Sequence, residues 1–159
     1  MRNTAMLGVG GYRPRKVVPN ADIIERIDSS DEWIQTRSGI KTRRVAAADE
    51  TVPMMSREAA EKALQRAGVT PDQLDCVIVA TVSHMLQTPA AATLIANELG
   101  ATPAAAFDIT AACAGFCYGV ALASDMVRGG TATYVLVIGV ERLTDLTDFE
   151  DRSTAFLFA

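Results

Sequence analysis

With 159 residues, 49% of them apolar and 21% charged, the chain has an ordinary globular composition and room for one sizeable core. Its net charge of −4 argues against bulk nucleic-acid binding as its main task, while leaving room for a local basic patch that meets a phosphorylated ligand. Three cysteines make no disulfide framework and suit a reducing cytosol, and since Met1 to Thr4 leads into a short apolar run, no secretory signal or membrane-spanning stretch is expected.

Ala5 to Val9 reads as a short strand, broken by Gly10-Gly11 and Arg13-Pro14. Asn20 is expected to cap a short helix through Ile27, and Ser30 a second, Asp31 to Arg37, stopped by Gly39. From Arg57 to Ala67 a helix is expected, since Ala59, Ala60, Ala63, Leu64 and Ala67 recur at helical spacing, and Gly68 ends it. Cys76 to Val82 is a valine-rich, nearly continuous apolar run, as in a strand buried on both faces of a parallel sheet. A helix over Ala90 to Leu99, with Pro89 at its first turn, precedes a strand over Ala104 to Ile109. A helix from Ala114 to about Arg128 and a strand from Tyr134 to Val140 complete the series. Strand–helix alternation with short joins implies one α/β domain with a mainly parallel sheet, right-handed crossovers and helices on both faces.

Cys113 is the residue that carries most chemistry. It falls in the small-residue turn between the strand ending at Ile109 and the helix opening at Ala114. A helix N-terminus supplies unpaired backbone N–H groups and a dipole that favours a thiolate, and the same groups can hold a developing oxyanion. The alternative for a free cysteine is a small buried apolar residue.

Four motifs occur in order along the chain: Asp28-Ser29-Ser30-Asp31-Glu32-Trp33-Ile34, Thr36-Arg37-Ser38-Gly39-Ile40, Asp108-Ile109-Thr110-Ala111-Ala112-Cys113-Ala114-Gly115-Phe116 and Asp151-Arg152-Ser153-Thr154. Together they closely resemble the β-ketoacyl-acyl-carrier-protein synthase III family, from about Met6 to the last residue. The resemblance implies a thiolase-like fold, layered αβαβα, of which residues 1–159 are the N-terminal half. It also implies a cytoplasmic enzyme that starts type II fatty-acid synthesis by two-step acyl transfer. A small acyl group passes from coenzyme A to Cys113; malonyl-acyl carrier protein is then decarboxylated, and its carbanion takes the acyl group. Coenzyme A thioester is the substrate, and no further cofactor is implied. Trp33 and Arg37 would border the entrance, with Trp33 stacking on the adenine and Arg152 on the other side of that base. Thr88 would sit in a loop reaching the partner subunit's acyl pocket, and Leu143 and Phe158 would line the pocket. The family pattern further implies a homodimer across an edge strand, with the Ala104 to Ile109 or Tyr134 to Val140 region as that edge. Each residue also has a plainer reading. Trp33 would be a half-buried helix anchor, and Arg37 a charge at a helix C-terminus. Thr88 would help start a helix at Pro89, and Leu143 and Phe158 would be core packing.

The family's catalytic histidine and asparagine, and its second oxyanion donor, belong to a second half that is expected to lie outside this chain. The run Ala155 to Ala159 would leave a sheet edge and core face uncovered, so the sequence is expected to be part of a longer chain, through cleavage, truncation or incompleteness. His84 falls outside the family's histidine motif and reads as a loop or interface residue. Cys113 and Cys117 are one helical turn apart, but no further ligands at metal spacing accompany them, so no metal site is expected. Gly8-Val9-Gly10-Gly11 lacks the lysine of a phosphate loop. Arg43 and Arg44 with Arg13, Arg15 and Lys16 would form either a basic rim for an acidic partner or a solvated charged edge. Two function classes follow. One is an enzyme, either this initiating ketosynthase or a relative that starts polyketide chains or acylates another nucleophile; the other is a structural half made to pair with another subunit.

Overall fold

The computed structural model describes residues 3–24 and 27–147. The chain divides into two compact units: Arg13–Thr51 with residues 142–147, and residues 3–12 with Val52–Glu141.

The first unit is built on a two-stranded antiparallel ribbon, β1 (Lys16–Pro19) against β2 (Thr42–Val45), in the register Lys16 opposite Val45. Between the strands lie a single helical turn, α1 (Ala21–Ile24), and α2 (Asp31–Ser38). Ser30 caps α2 by accepting the N–H of Trp33 at 3.1 Å, and Gly39 ends it in the left-handed conformation (φ 73°) that costs glycine little. Ile23, Ile27 and Ile34 form this unit's core, and Trp33, Val18, Ile24 and Ile40 pack against it. Asn20 does not cap α1 with its side chain. Only its carbonyl accepts from Ile23 and Ile24, while its amide turns to Asp31, Ile40 and Arg43.

In the second unit, α3 (Val52–Ala67), β3 (Cys76–Ala80), α4 (Ala91–Leu99), β4 (Ala105–Ile109), α5 (Gly115–Gly129) and β5 (Val135–Gly139) follow in chain order. The strands make a parallel sheet in the order β4-β3-β5, with Ala80 opposite both Ile109 and Gly139. Period-two alternation sends Val77 and Val79 of β3, with Leu136 and Ile138 of β5, into a core shared with Ala60 and Leu64 of α3 and Ala92 and Ile95 of α4. The opposite face receives α5. A Cβ at Gly119 would stand 2.9 Å from Val137, and one at Gly115 3.0 Å from Ala80, so these glycines let the helix lie close on the sheet. Asp75 fixes the start of the sheet by accepting the N–H groups of Thr133 (2.6 Å) and Tyr134 (3.0 Å).

The segment Ala5 to Val9 departs from the expected strand and, among the described residues, pairs with none. It lies along α3, where its backbone carbonyls accept from side chains: Val9 from Arg66 and Gly11 from Lys62. A cleft of about 990 Å³, walled by α3 and α5, lies between this segment and β5. Among the described residues, no helix is long and apolar enough to cross a membrane.

Candidate active site

The connection β3–α4–β4 runs over one face of the sheet and β4–α5–β5 over the other. Such a reversal opens a crevice at the carboxyl ends of the strands, where α/β proteins hold their ligands. Three loops leave that edge, after Ala80, Ile109 and Gly139.

The loop after β4 carries Cys113. It sits in a 3₁₀ turn, Ala112–Ala114, directly ahead of α5, and Ala112 adopts a positive φ of 45° to make the bend. Such strain in a residue bearing a Cβ is tolerated where the surroundings enforce it. The turn leaves Cys113 exposed. The other cysteines differ in setting. Cys76 is fully buried in β3, where loss of solvation and the nearby charge of Asp75 push its thiol above the usual range; Cys117 is exposed one turn into α5.

Two carboxylates that the sequence did not single out hold these loops. Asp108, the penultimate residue of β4, accepts the N–H of Ala91 and of Ala92, both at 2.8 Å. Ala90 has no side chain to cap α4, so Asp108 supplies the cap from the neighbouring strand. Glu141, just beyond β5, accepts from the Val82 amide at 3.0 Å and from the Ser83 hydroxyl. Thr88 is exposed in the loop ahead of α4, joined to Pro89 by a cis peptide bond. His84 faces the Pro89 carbonyl at 3.3 Å. Thr88 and Cys113 thus stand on adjacent loops, linked through the Asp108 cap.

Trp33 and Arg37 lie four residues apart on α2 of the first unit, a spacing that brings side chains to one helix face. Trp33 is half-buried against the isoleucine core and Arg37 is exposed. Leu143, half-buried, opens a short 3₁₀ turn in the same unit. Arg152 and Phe158 lie outside the described residues. The basic rim is reduced by pairing. Arg43 is buried and donates to Asn20, while Arg15 makes a two-pronged contact with Asp49 at 2.6 and 2.7 Å. Among the described residues, no group of three or more potential ligands could hold a metal ion.

A parallel sheet wrapped on both faces, with a cysteine at the strand-to-helix turn on its carboxyl edge, is the arrangement of a thiolase-like α/β fold. The priming β-ketosynthase from the R1128 polyketide biosynthetic pathway shares it with a TM-score of 0.95 and 47% identity, over 98% of this chain and 46% of that one. The 3-oxoacyl-[acyl-carrier-protein] synthase III of Aquifex aeolicus matches at 0.90 and 44%, over 93% and 48%. Sequence comparison narrows the class. The family model of 3-oxoacyl-[acyl-carrier-protein (ACP)] synthase III matches residues 107–159. The β-ketoacyl-[acyl-carrier-protein] synthase III 1 of Streptomyces avermitilis is 65% identical over 153 residues, 96% of this chain and 43% of the relative. Over nearly its whole length the chain is similar to the N-terminal half of β-ketoacyl-[acyl-carrier-protein] synthase III proteins. It spans about half the length of the curated relatives it matches.

Proposed function

We propose that this chain supplies the acyl-accepting half of a β-ketoacyl-acyl-carrier-protein synthase III. The observation that carries the reading is Cys113, exposed in the 3₁₀ turn between β4 and α5, inside the segment matched by the family model. In the first step the Cys113 sulfur attacks the thioester carbonyl of an acyl-coenzyme A. The acyl–sulfur bond to coenzyme A breaks, and the coenzyme A thiolate leaves and takes up a proton. A backbone N–H of the turn is suited to stabilise the oxyanion, with the second donor coming from the downstream half. In the second step malonyl-acyl carrier protein loses carbon dioxide. The resulting enolate attacks the acyl-Cys113 carbonyl, which releases Cys113 and forms a β-ketoacyl thioester. The enolate needs positioned donors, and we assign these to a histidine and an asparagine of the downstream half. His84, turned to Pro89, is not suited to replace them.

Trp33, with Arg37 beside it and Arg152 opposite, is assigned to the coenzyme A adenine and entrance. Thr88, Leu143 and Phe158 are assigned to the acyl pocket. The working protein is proposed to be a cytoplasmic homodimer, with Thr88 reaching the partner's pocket. β4 borders the three-stranded sheet on one side, whereas β5 on the other faces the cleft toward Ala5 to Val9, which favours β4 as the pairing edge. Likeness to the R1128 priming ketosynthase supports a second reading, in which the same chemistry starts a polyketide.

The test uses Trp33→Ala and Arg152→Ala in the full-length protein. Each is expected to weaken coenzyme A thioester use by roughly 0.5 to 2 kcal/mol while leaving Cys113 alkylation unchanged. Equal losses in both assays would assign these residues to the fold alone.

A further inference from the structure

We propose that Asn20 is a positioning residue for the proposed coenzyme A platform, clamping both ends of the helix that carries Trp33 and Arg37; the inference rests on that platform reading. Asn20 is buried, 1% exposed, and its side-chain amide is used on both sides. The Nδ2 group donates to Asp31 Oδ1 at 2.6 Å, at the first residue of α2. The same nitrogen donates to the Ile40 carbonyl at 2.8 Å, one residue beyond the Gly39 cap. Oδ1 accepts from the buried guanidinium of Arg43, on β2. One side chain therefore joins the start of α2, its exit and the ribbon beneath it.

The ribbon-to-helix connection needs such a node. The helix is short, eight residues, and isolated helices of that length are marginal in water. Its Ser30 and Gly39 caps determine where it begins and ends but not how it sits on the ribbon. Asn20 makes that link, and Asp31 passes it along the helix surface by accepting from Gln35 at 2.6 Å through its second oxygen. A stacking platform works only when the ring is held in the plane the base requires, so slack in α2 would be read at Trp33.

The test exploits the polarity of the amide. Asn20→Asp keeps an acceptor for Arg43, with a charge opposite to the guanidinium, and so favours a folded ribbon. It replaces Nδ2 by an oxygen facing the Asp31 carboxylate and the Ile40 carbonyl, which breaks both clamps. In the full-length protein, KM for acetyl-coenzyme A is expected to rise about tenfold, equivalent to about 1.4 kcal/mol. Acylation of Cys113 by acetyl-N-acetylcysteamine, a thioester with no adenine, is expected to stay within about twofold, because a platform residue touches only the nucleotide part of the substrate. Adding Asp31→Asn restores a donor–acceptor pair with reversed polarity and should recover most of the lost KM.

An unchanged KM in Asn20→Asp overturns the proposal. So does a fall in the truncated-thioester rate matching the loss with acetyl-coenzyme A, or a double variant no better than the single one. Trp33→Ala measured alongside separates the two ideas. A Trp33→Ala KM equal to the parent's overturns the platform reading itself, whereas a raised Trp33→Ala KM with an unaffected Asn20→Asp overturns only the clamp.

Discussion

Asp108 accepts the backbone N–H of Ala91 at 2.8 Å, so the strand that leads to Cys113 also caps the helix that follows Thr88. With its second oxygen on Ala92, the carboxylate satisfies two N–H groups in the first turn of α4. Asp108→Ala should cost about 0.5–2 kcal/mol, the range for losing a helix cap, measured as a drop in urea midpoint at constant slope. An unchanged midpoint would mean that water or another group serves those amides equally well.

The three cysteines should separate by label. Iodoacetamide on the native protein is expected to reach the exposed Cys113 and Cys117 and to spare Cys76, which is enclosed in β3 and whose thiol is held above its usual range. Peptide mapping before and after unfolding in urea reads this directly, with Cys76 appearing only in the unfolded sample.

Close approach of α5 to the sheet gives a packing prediction. Gly119→Val places branched carbons where a Cβ alone would already be 2.9 Å from Val137, and should destabilise by about 1–3 kcal/mol. Val137→Ala in the same chain should recover part of that loss, and a denaturant series on the two variants checks it.

Two titrations set opposite pH limits. Asp75 is held below its ordinary value of 3.8, chiefly by the Thr133 N–H and then by that of Tyr134. Its contribution is therefore present above that value and lost as pH falls through the lower folded one. Asp75→Asn keeps an oxygen for both amides but no longer titrates, so its stability should fall less between pH 5 and 2 than the parent's, within the usual window of a depressed carboxylate. Cys76 works the other way. Its folded value is raised above 9.0, so stability is full below that point and declines as pH rises through it, when the unfolded thiol ionises and the buried one does not. Cys76→Ala should flatten this alkaline limb; parallel curves for parent and variant would contradict the assignment.

The parts of the fold written in neighbouring residues were legible. Ser30 and Gly39 mark the ends of α2, the valine-rich runs mark β3 and β5, and the small-residue turn marks Cys113, because each signal acts within a few positions. Features that depend on distant partners were not. β1 and β2 are four residues each, charged and proline-bearing, and become strands only by pairing with one another. The first turn of α3 was hidden by Pro53, which is tolerated at the helix's second residue because no intrahelical acceptor awaits its N–H. Asn20 looked like a cap and Arg43 like a surface charge, yet they meet across 23 positions in the interior. Nothing local distinguishes Asp108 or Glu141 from other acidic residues; their partners lie 16 to 59 positions away.

The central claim is that Cys113 is the acyl acceptor. The most direct measurement is intact and peptide-level mass of the full-length protein after incubation with a panel of short acyl-coenzyme A thioesters. A single acyl adduct mapped to Cys113, and absent from Cys113→Ser, is the predicted result. An adduct carried chiefly by Cys76 or Cys117, or one that persists in Cys113→Ser, would contradict the account.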